Sequence, residues 1–106
     1  MVLLVTIHRN GEILLIKATK IKMQFGKEKS STLTEIDSIY LTGVSKDGYY
    51  SKEKVHDFIR NNSESPVHVN ISPFPKLIAA IKNGQKYVRS EPNETTSDNL
   101  LKLPRE

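Results

Sequence analysis

The stretch SKEKVHDFIRNNSESPVHVNI, residues 51–71, decides the fold class, because it sets an amphipathic helix directly before a strand. The Ser51 hydroxyl can accept a hydrogen bond from a backbone N–H of the first helical turn. This cap and the apolar spacing after it predict a helix over Ser51–Asn61. Residues 67–71 alternate apolar and polar side chains, which is the period of a half-buried strand. The apolar stripe of the helix, at the i, i+3 and i+4 spacing, consists of Val55, Phe58 and Ile59.

Strands are predicted throughout the chain before this helix. Val2–Ile7 and Glu12–Lys17 flank Asn10-Gly11, a dipeptide that favours a hairpin turn. Ala18–Phe25 alternates and predicts a half-buried strand. Leu33–Thr42 carries apolar groups on both faces, which predicts a central strand. On the buried side of the Ala18–Phe25 strand we expect Ile21, Met23 and Phe25.

A second hairpin is predicted after the helix. Asn83-Gly84 is a turn signal, and Lys86–Arg89 is the returning strand. The segment before the turn, residues 76–82, fits either a helix starting near Pro75 or a short buried strand. A strand is the favoured interpretation.

Length and composition bound the architecture. The chain has 106 residues with 37% hydrophobic and 26% charged residues, enough for one core but not for two. We therefore predict an α+β fold in which one helix packs on a small, mostly antiparallel sheet. The whole chain, 1–106, is expected to be a single domain with a basic β segment over 1–34 and an α+β segment over 35–106.

The chain contains no cysteine, which excludes disulfides and thiolate metal sites. The apolar start, Met1–Ile7, is far shorter than the about 20 residues of a membrane span, and it lacks the features of a signal peptide. A cytoplasmic protein without a membrane partner is the expectation.

The net charge of +4 is concentrated near the start of the chain. Residues 1–34 contain six basic and two acidic residues, whereas residues 35–106 contain ten of each. One interpretation is a solvated strand edge whose lysines prevent aggregation. The other is a nucleic-acid surface, with Phe25 available to stack on a base. The candidate phosphate contacts are Lys20, Lys22, Lys27 and Lys29.

No catalytic or metal-binding pattern is visible. The three histidines, His8, His56 and His68, lack ligand spacing and are expected at the surface or the boundary of the core. No serine lies in a Gly-x-Ser-x-Gly elbow, and no glycine-rich phosphate loop exists. We expect no catalytic residue, no metal and no cofactor, and therefore a protein that is not an enzyme.

The C-terminal residues form a spaced pattern: Lys86-Tyr87-Val88-Arg89-Ser90, then Pro92-Asn93, then Asp98-Asn99-Leu100-Leu101-Lys102-Leu103-Pro104. This pattern resembles the signature of a family of short bacterial and phage-associated domains of unknown function. The resemblance covers Glu35–Pro104 and departs at Glu94, where the family often has glycine. It implies a small accessory protein of prophage-like origin.

The polar residues of this tail have two interpretations. Arg89 is expected to pair with a nearby acid, while Asp98 and Asn99 bind backbone groups of the adjacent turn. The polar loop of Arg89, Asn93, Asp98 and Asn99 is then a folding device closed by leucines that dock onto the core. The alternative is a ligand-binding loop. The docking leucines are Leu100, Leu101 and Leu103.

Two functional hypotheses follow. The first is a non-enzymatic accessory or binding protein that contacts a protein partner through a sheet edge or the C-terminal loop. The alternative is a weak, sequence-independent nucleic-acid-binding protein that uses the basic N-terminal third.

Overall fold

The computed structural model describes residues 8–9, 12–13, 15–62, 66–91 and 98–105. None of the helices in these ranges has the length and apolar character needed to span a membrane. Short 3₁₀ helices cover Leu33–Glu35 and Asn99–Lys102. The other elements are β1 (His8–Arg9), β2 (Glu12–Ile13), β3 (Ile16–Met23), β4 (Ile36–Thr42), β5 (Gly48–Ser51), α1 (Lys52–Asn61), β6 (Val67–Val69), β7 (Leu77–Lys82) and β8 (Gln85–Ser90).

Four of the strands form a sheet of order β5-β4-β3-β6. Strands β3, β4 and β5 pair antiparallel, and β6 joins β3 in parallel. β4 lies between two neighbours, so the predicted central strand is confirmed over Ile36–Thr42, whereas Leu33–Glu35, predicted as its start, form a 3₁₀ helix. Together with α1, this mostly antiparallel sheet confirms the predicted α+β class.

Two irregularities in the β3–β4 register set which side chains enter the core. The pairing shifts between Ala18 and Lys20 and again between Lys22 and Met23. Strict alternation along β4 would put Asp37 on the same face as Ile39, but Asp37 is exposed while its neighbour Ile36 is buried. An extra residue in a strand reverses the alternation at that point, which is why the simple period misassigned this face.

The second hairpin, β7–β8, confirms the favoured strand interpretation of residues 76–82. Asn83 and Gly84 both have positive φ, 51° and 75°, as a two-residue type I′ turn requires. Helix α1 packs on this hairpin and on β4 and β5. Its predicted start is confirmed, because the Ser51 hydroxyl accepts a hydrogen bond from the Lys54 N–H at 3.2 Å.

The N-terminal hairpin is described only in part. β1 and β2 pair antiparallel, with His8 opposite Ile13 and Arg9 opposite Glu12. The antiparallel pairing agrees with the predicted hairpin, but the predicted bounds were wrong: β1 covers His8–Arg9, and Ile16 and Lys17 belong to β3. Val2–Ile7 and the turn residues Asn10-Gly11 lie outside the described residues.

Two predictions about burial were wrong. Phe25 is fully exposed, because β3 ends at Met23 and the chain turns, with the Lys27 N–H donating to the Gln24 carbonyl at 2.9 Å. His56 was expected at the surface or at the boundary of the core but is only 1% exposed. Its Nδ1–H donates to the Tyr87 carbonyl at 2.9 Å, which ties α1 to β8.

The C-terminal leucines dock on the core as predicted. Leu100 and Leu103 are 0% and 3% exposed, and Leu101 packs against the core with partial burial. The chain then runs beside β3: the Ile21 N–H donates to the Pro104 carbonyl at 2.9 Å, and Arg105 forms a parallel bridge with Ile21. One edge of β3 is therefore covered by β6 at its start and by residues 104–105 further along.

Candidate nucleic-acid interface

The lysines of β3 lie on the outer face of the four-stranded sheet. Ile16, Ala18 and Ile21 of this strand point into the core, while Lys17 and Lys22 are exposed. Lys20 also lies off the core face and is half-buried. We call this surface the basic face, defined by Lys17, Lys20, Lys22, Tyr40 and Tyr49.

The centre of the basic face is a row of three residues on adjacent strands. Lys20 of β3 lies opposite Tyr40 of β4, which lies opposite Tyr49 of β5. The Lys20 Nζ is 4.5 Å from the centre of the Tyr40 ring and 5.9 Å from that of Tyr49. The two rings meet edge to face, with centres 5.1 Å apart and planes at 84°. These are the separations at which a cation and aromatic rings attract one another.

Lys22 extends the row toward the end of β3. Its Nζ is 4.8 Å from the centre of the Tyr49 ring. The residues opposite Lys22 are small, Ser38 on β4 followed by Ser51 on β5. A long side chain can therefore lie across the sheet, where it reaches the aromatic ring one row away.

Lys17 occupies the other end of β3. It lies opposite Thr42 on β4 and opposite His68 on β6. The His68 Nδ1–H donates to the Phe74 carbonyl at 2.8 Å, which holds the imidazole at this position. Among the acidic residues that the structure describes, none forms an ion pair with Lys17 or Lys22. The basic face is thus a lysine-rich surface with two aromatic rings in it.

Lys27 and Lys29, the other two candidate contacts, lie in the loop after β3 rather than on the sheet. Lys27 forms an ion pair with Glu35 at 3.4 Å, while Lys29 is exposed. The Ser30 hydroxyl donates to the Glu35 carboxylate at 2.5 Å. This hydrogen bond and the nearby Lys27 hold the pKa of Glu35 below its usual value, despite the opposing effect of desolvation. Lys27 is therefore partly neutralised by a structural contact.

The loop that bears these lysines is anchored from the C-terminal side. The Arg105 guanidinium donates through Nη1 to the carbonyls of Glu28 and Ser30 at 2.9 and 2.8 Å, and through Nη2 to that of Leu101 at 3.1 Å. Phe25, the predicted stacking residue, belongs to the same loop with its ring fully exposed.

The polar loop predicted near the C terminus is built around Asp98. Its carboxylate accepts hydrogen bonds from the Ser90 N–H, the Ser90 hydroxyl and the Leu100 N–H, at 3.0, 2.8 and 2.8 Å. These bonds tie the end of β8 to the last 3₁₀ helix. The Asn99 N–H also donates to the Ser90 hydroxyl, and Asn99 is 1% exposed. The folding-device interpretation of the loop stays a prediction.

Arg89, another member of that loop, does not join this network in the described part of the chain. No ion pair links Arg89 to Glu91 or Asp98 there. Glu91 instead accepts a hydrogen bond from the Lys76 N–H at 2.9 Å. Asn93 lies outside the described residues.

Sequence reasoning missed Tyr40 and Tyr49 as members of the basic face. Tyr40 lies in a predicted strand, but no strand was predicted at β5, so no residue was expected opposite it. The available signal was the Asp47-Gly48 turn, since pairing outward from a turn brings residues before and after it together.

The described residues hold no group of three or more histidine, aspartate or glutamate side chains that could bind a metal ion. A family profile described as a protein of unknown function, DUF3892, matches residues 17–104. The chain belongs to the DUF3892 family. The DUF3892 match begins within β3, earlier than the Glu35 start of the resemblance, and so includes the lysines of the basic face. Neither the curated proteins nor the solved structures contain a match.

Proposed function

We propose that this protein is a non-enzymatic binding protein that holds single-stranded nucleic acid on its basic face. The observation that carries the proposal is the row of Lys20, Tyr40 and Tyr49, flanked by Lys17 and Lys22. Lysines supply charge for phosphates, and aromatic rings stack on bases without regard to sequence. This combination on an open sheet is one way in which proteins bind unpaired strands.

The shape of the basic face favours a single strand over a duplex. Duplex DNA is read by elements that enter its major groove, usually a helix or a two-stranded ribbon. Here the three lysines lie along one strand, over a path of roughly 15 Å. A flexible strand can follow such a path and place its bases on the rings, whereas a rigid duplex touches a broad surface at few points.

The test is a fluorescence anisotropy titration with a labelled oligothymidylate of about 12 nucleotides. We expect binding at about 50 mM salt that weakens steeply by about 200 mM, because bound phosphates release counterions. Lys20→Gln together with Lys22→Gln should lower the slope of log K against log salt by about 1.4, since each lost phosphate contact on a single strand removes about 0.7.

The matched control is Lys46→Gln together with Lys54→Gln, which removes the same charge from exposed positions outside the basic face. This variant should keep the parental slope. Tyr40→Leu should weaken binding while Tyr40→Phe retains it, because only the aromatic ring can stack. No binding at low salt, or an equal loss in the control variant, overturns the proposal.

An accessory role of prophage-like origin and a cytoplasmic location belong to the same proposal. They are supported by the resemblance of residues 35–104 and by the lack of cysteine in the chain. A protein partner contacted through a sheet edge was the first hypothesis from the sequence. It is compatible with nucleic-acid binding, because a sheet edge and the basic face are different surfaces.

A further inference from the structure

The outer edge of β7 offers backbone groups for pairing. The Glu91 N–H donates to the Lys76 carbonyl at 2.8 Å. From this point, hydrogen-bonded and non-hydrogen-bonded residue pairs alternate along the hairpin. In an antiparallel pair, every second residue directs its N–H and C=O away from its partner. On β7 these residues are Leu77, Ala79 and Ile81.

Only the start of this edge is occupied. β6 approaches β7 through the bridge between His68 and Lys76, and the Val69 N–H donates to the Pro75 carbonyl at 2.8 Å. Beyond that point, no described residue pairs with the outward backbone groups of Ala79 or Ile81. Ile81 is also 56% exposed, which is unusual for an isoleucine next to an unpaired edge.

A groove runs beside the same edge, between the end of α1 and β7. Its volume is about 260 Å³. Ile59 of α1, Pro66, and the β7 residues Leu77, Ile78 and Ala79 supply its apolar lining. The Asn62 amide at one end is engaged, because it donates to the Phe58 carbonyl at 3.0 Å and so caps the helix.

Although the Glu91 carboxylate accepts a hydrogen bond from the Lys76 N–H, cations predominate around the groove. Lys76 lines it, Lys82 ends β7, and Arg60 follows Ile59 on the last turn of α1. None of these three cations forms an ion pair with a described acidic residue. Lys86 on the neighbouring strand differs, since it is paired with Asp57 at 2.9 Å.

We propose that the β7 edge, meaning Ala79 and Ile81 with the adjoining groove, docks an extended acidic segment of a partner protein by strand addition. The added strand would form backbone hydrogen bonds with the outward N–H and C=O groups of Ala79 and Ile81. Such bonds supply affinity that does not depend on the sequence of the added strand. Alternate side chains of the segment point to the same face, so an apolar residue can enter the groove. Acidic neighbours would then meet the three cations.

Charge also argues against a second copy of this chain as the occupant. Pairing two β7 edges about a twofold axis brings both sets of Lys76, Lys82 and Arg60 to one interface. Like charges brought together in this way disfavour the contact.

The probe is the heptapeptide acetyl-EEVTVEE-amide, titrated into ¹⁵N-labelled protein, with KKVTVKK as the matched control. We expect the acidic peptide to shift the amide signals of Ala79, Ile81 and Ile59 and to bind at least about tenfold more tightly than the basic one. Ala79→Pro should abolish binding but keep the fold, since an outward N–H on an edge strand is not needed for folding. The double variant Lys76→Glu and Lys82→Glu should reverse the preference between the peptides.

Three outcomes overturn this proposal. Shifts on the basic face instead of on β7 would mean that the peptide binds there as a simple polyanion. Concentration-dependent dimerisation that Ala79→Pro removes would assign the edge to a second copy. No shift up to about 1 mM peptide would remove the site altogether. Lys20→Gln with Lys22→Gln should leave peptide binding unchanged, so this result and the nucleic-acid result stand separately.

Discussion

Glu35 shows how one carboxylate organises the loop between β3 and β4. It accepts a hydrogen bond from the Ser30 hydroxyl and faces the Lys27 ammonium at 3.4 Å. The same residue contributes a backbone contact, because the Gln24 N–H donates to its carbonyl at 2.9 Å. Side chain and backbone of Glu35 therefore both close the loop that carries Phe25 and Lys29.

Because the Ser30 hydrogen bond and Lys27 lower the pKa of Glu35, this residue gives stability a dependence on pH. A lowered pKa in the folded state means that the contribution is fully present above the ordinary glutamate pKa and is lost as the pH falls through the lower, folded value. We expect the urea midpoint of the parent to fall more between about pH 7 and about pH 3 than that of Glu35→Gln.

The control for this measurement is Asp47→Asn, a change in an exposed turn. Its midpoint should follow the parental pH dependence. If Glu35→Gln and the parent instead lose stability in parallel, the Ser30 and Lys27 contacts have no energetic consequence in solution.

At the scale of elements, the connection after β4 has no room for a side chain at Gly43. Gly43 has φ of +85°, and a Cβ placed there would lie 2.0 Å from the Leu15 carbonyl oxygen. Gly84, in the turn between β7 and β8, has a similar φ of +75° but no atom within 4 Å of such a Cβ. Comparing substitutions at the two glycines therefore separates the cost of backbone strain from the cost of a steric clash.

We expect Gly43→Ala to be far more destabilising than Gly84→Ala. The Gly84 change should cost about 1 kcal/mol for the left-handed conformation. The Gly43 change adds a clash with backbone that cannot rotate away, and should cost at least about 3 kcal/mol or prevent folding. Chemical denaturation of both variants measures the difference, and equal losses would show that the β4 connection can shift at little cost.

The elements that the sequence predicted correctly have local causes. Ser51 caps α1 through its own hydroxyl, and Asn83 and Gly84 form the turn because both adopt positive φ. The parallel pairing of β6 with β3 and the two register shifts were not predicted, because they depend on residues distant in the chain. For the same reason only part of the basic face was predicted. Its lysines lie on one strand and are visible in the sequence, whereas its tyrosines lie beside them only because of the cross-strand register.

For the molecule as a whole, the C-terminal segment acts as a closing piece. Asp98 binds the end of β8, Leu100 and Leu103 fill the core, and Arg105 reaches across to the loop of Glu28 and Ser30. The segment thereby joins the second hairpin to the four-stranded sheet. The stability of the molecule should depend on this segment more than binding does.

We expect Leu100→Ala to cost about 2–5 kcal/mol, as for other fully buried leucines. Asp98→Ala should cost about 2 kcal/mol, because it removes a charged acceptor and leaves the Leu100 N–H without its partner. Both variants, while folded, should bind oligothymidylate like the parent. Ile81→Ala, at an exposed position, is the control and should change stability by less than about 0.5 kcal/mol. A loss of nucleic-acid binding in folded Asp98→Ala would give the polar loop a direct part in binding.

The pairing of Ile21 with Pro104 and Arg105 also sets an order of events during synthesis. β3 leaves the ribosome early, yet one of its neighbours does not exist until residue 105 has been added. At typical translation rates the nascent strand waits on the order of ten seconds for that neighbour. Throughout that interval the Ile21 N–H can bond only to water or to another chain, so a chaperone that shields it would act before this bond can close.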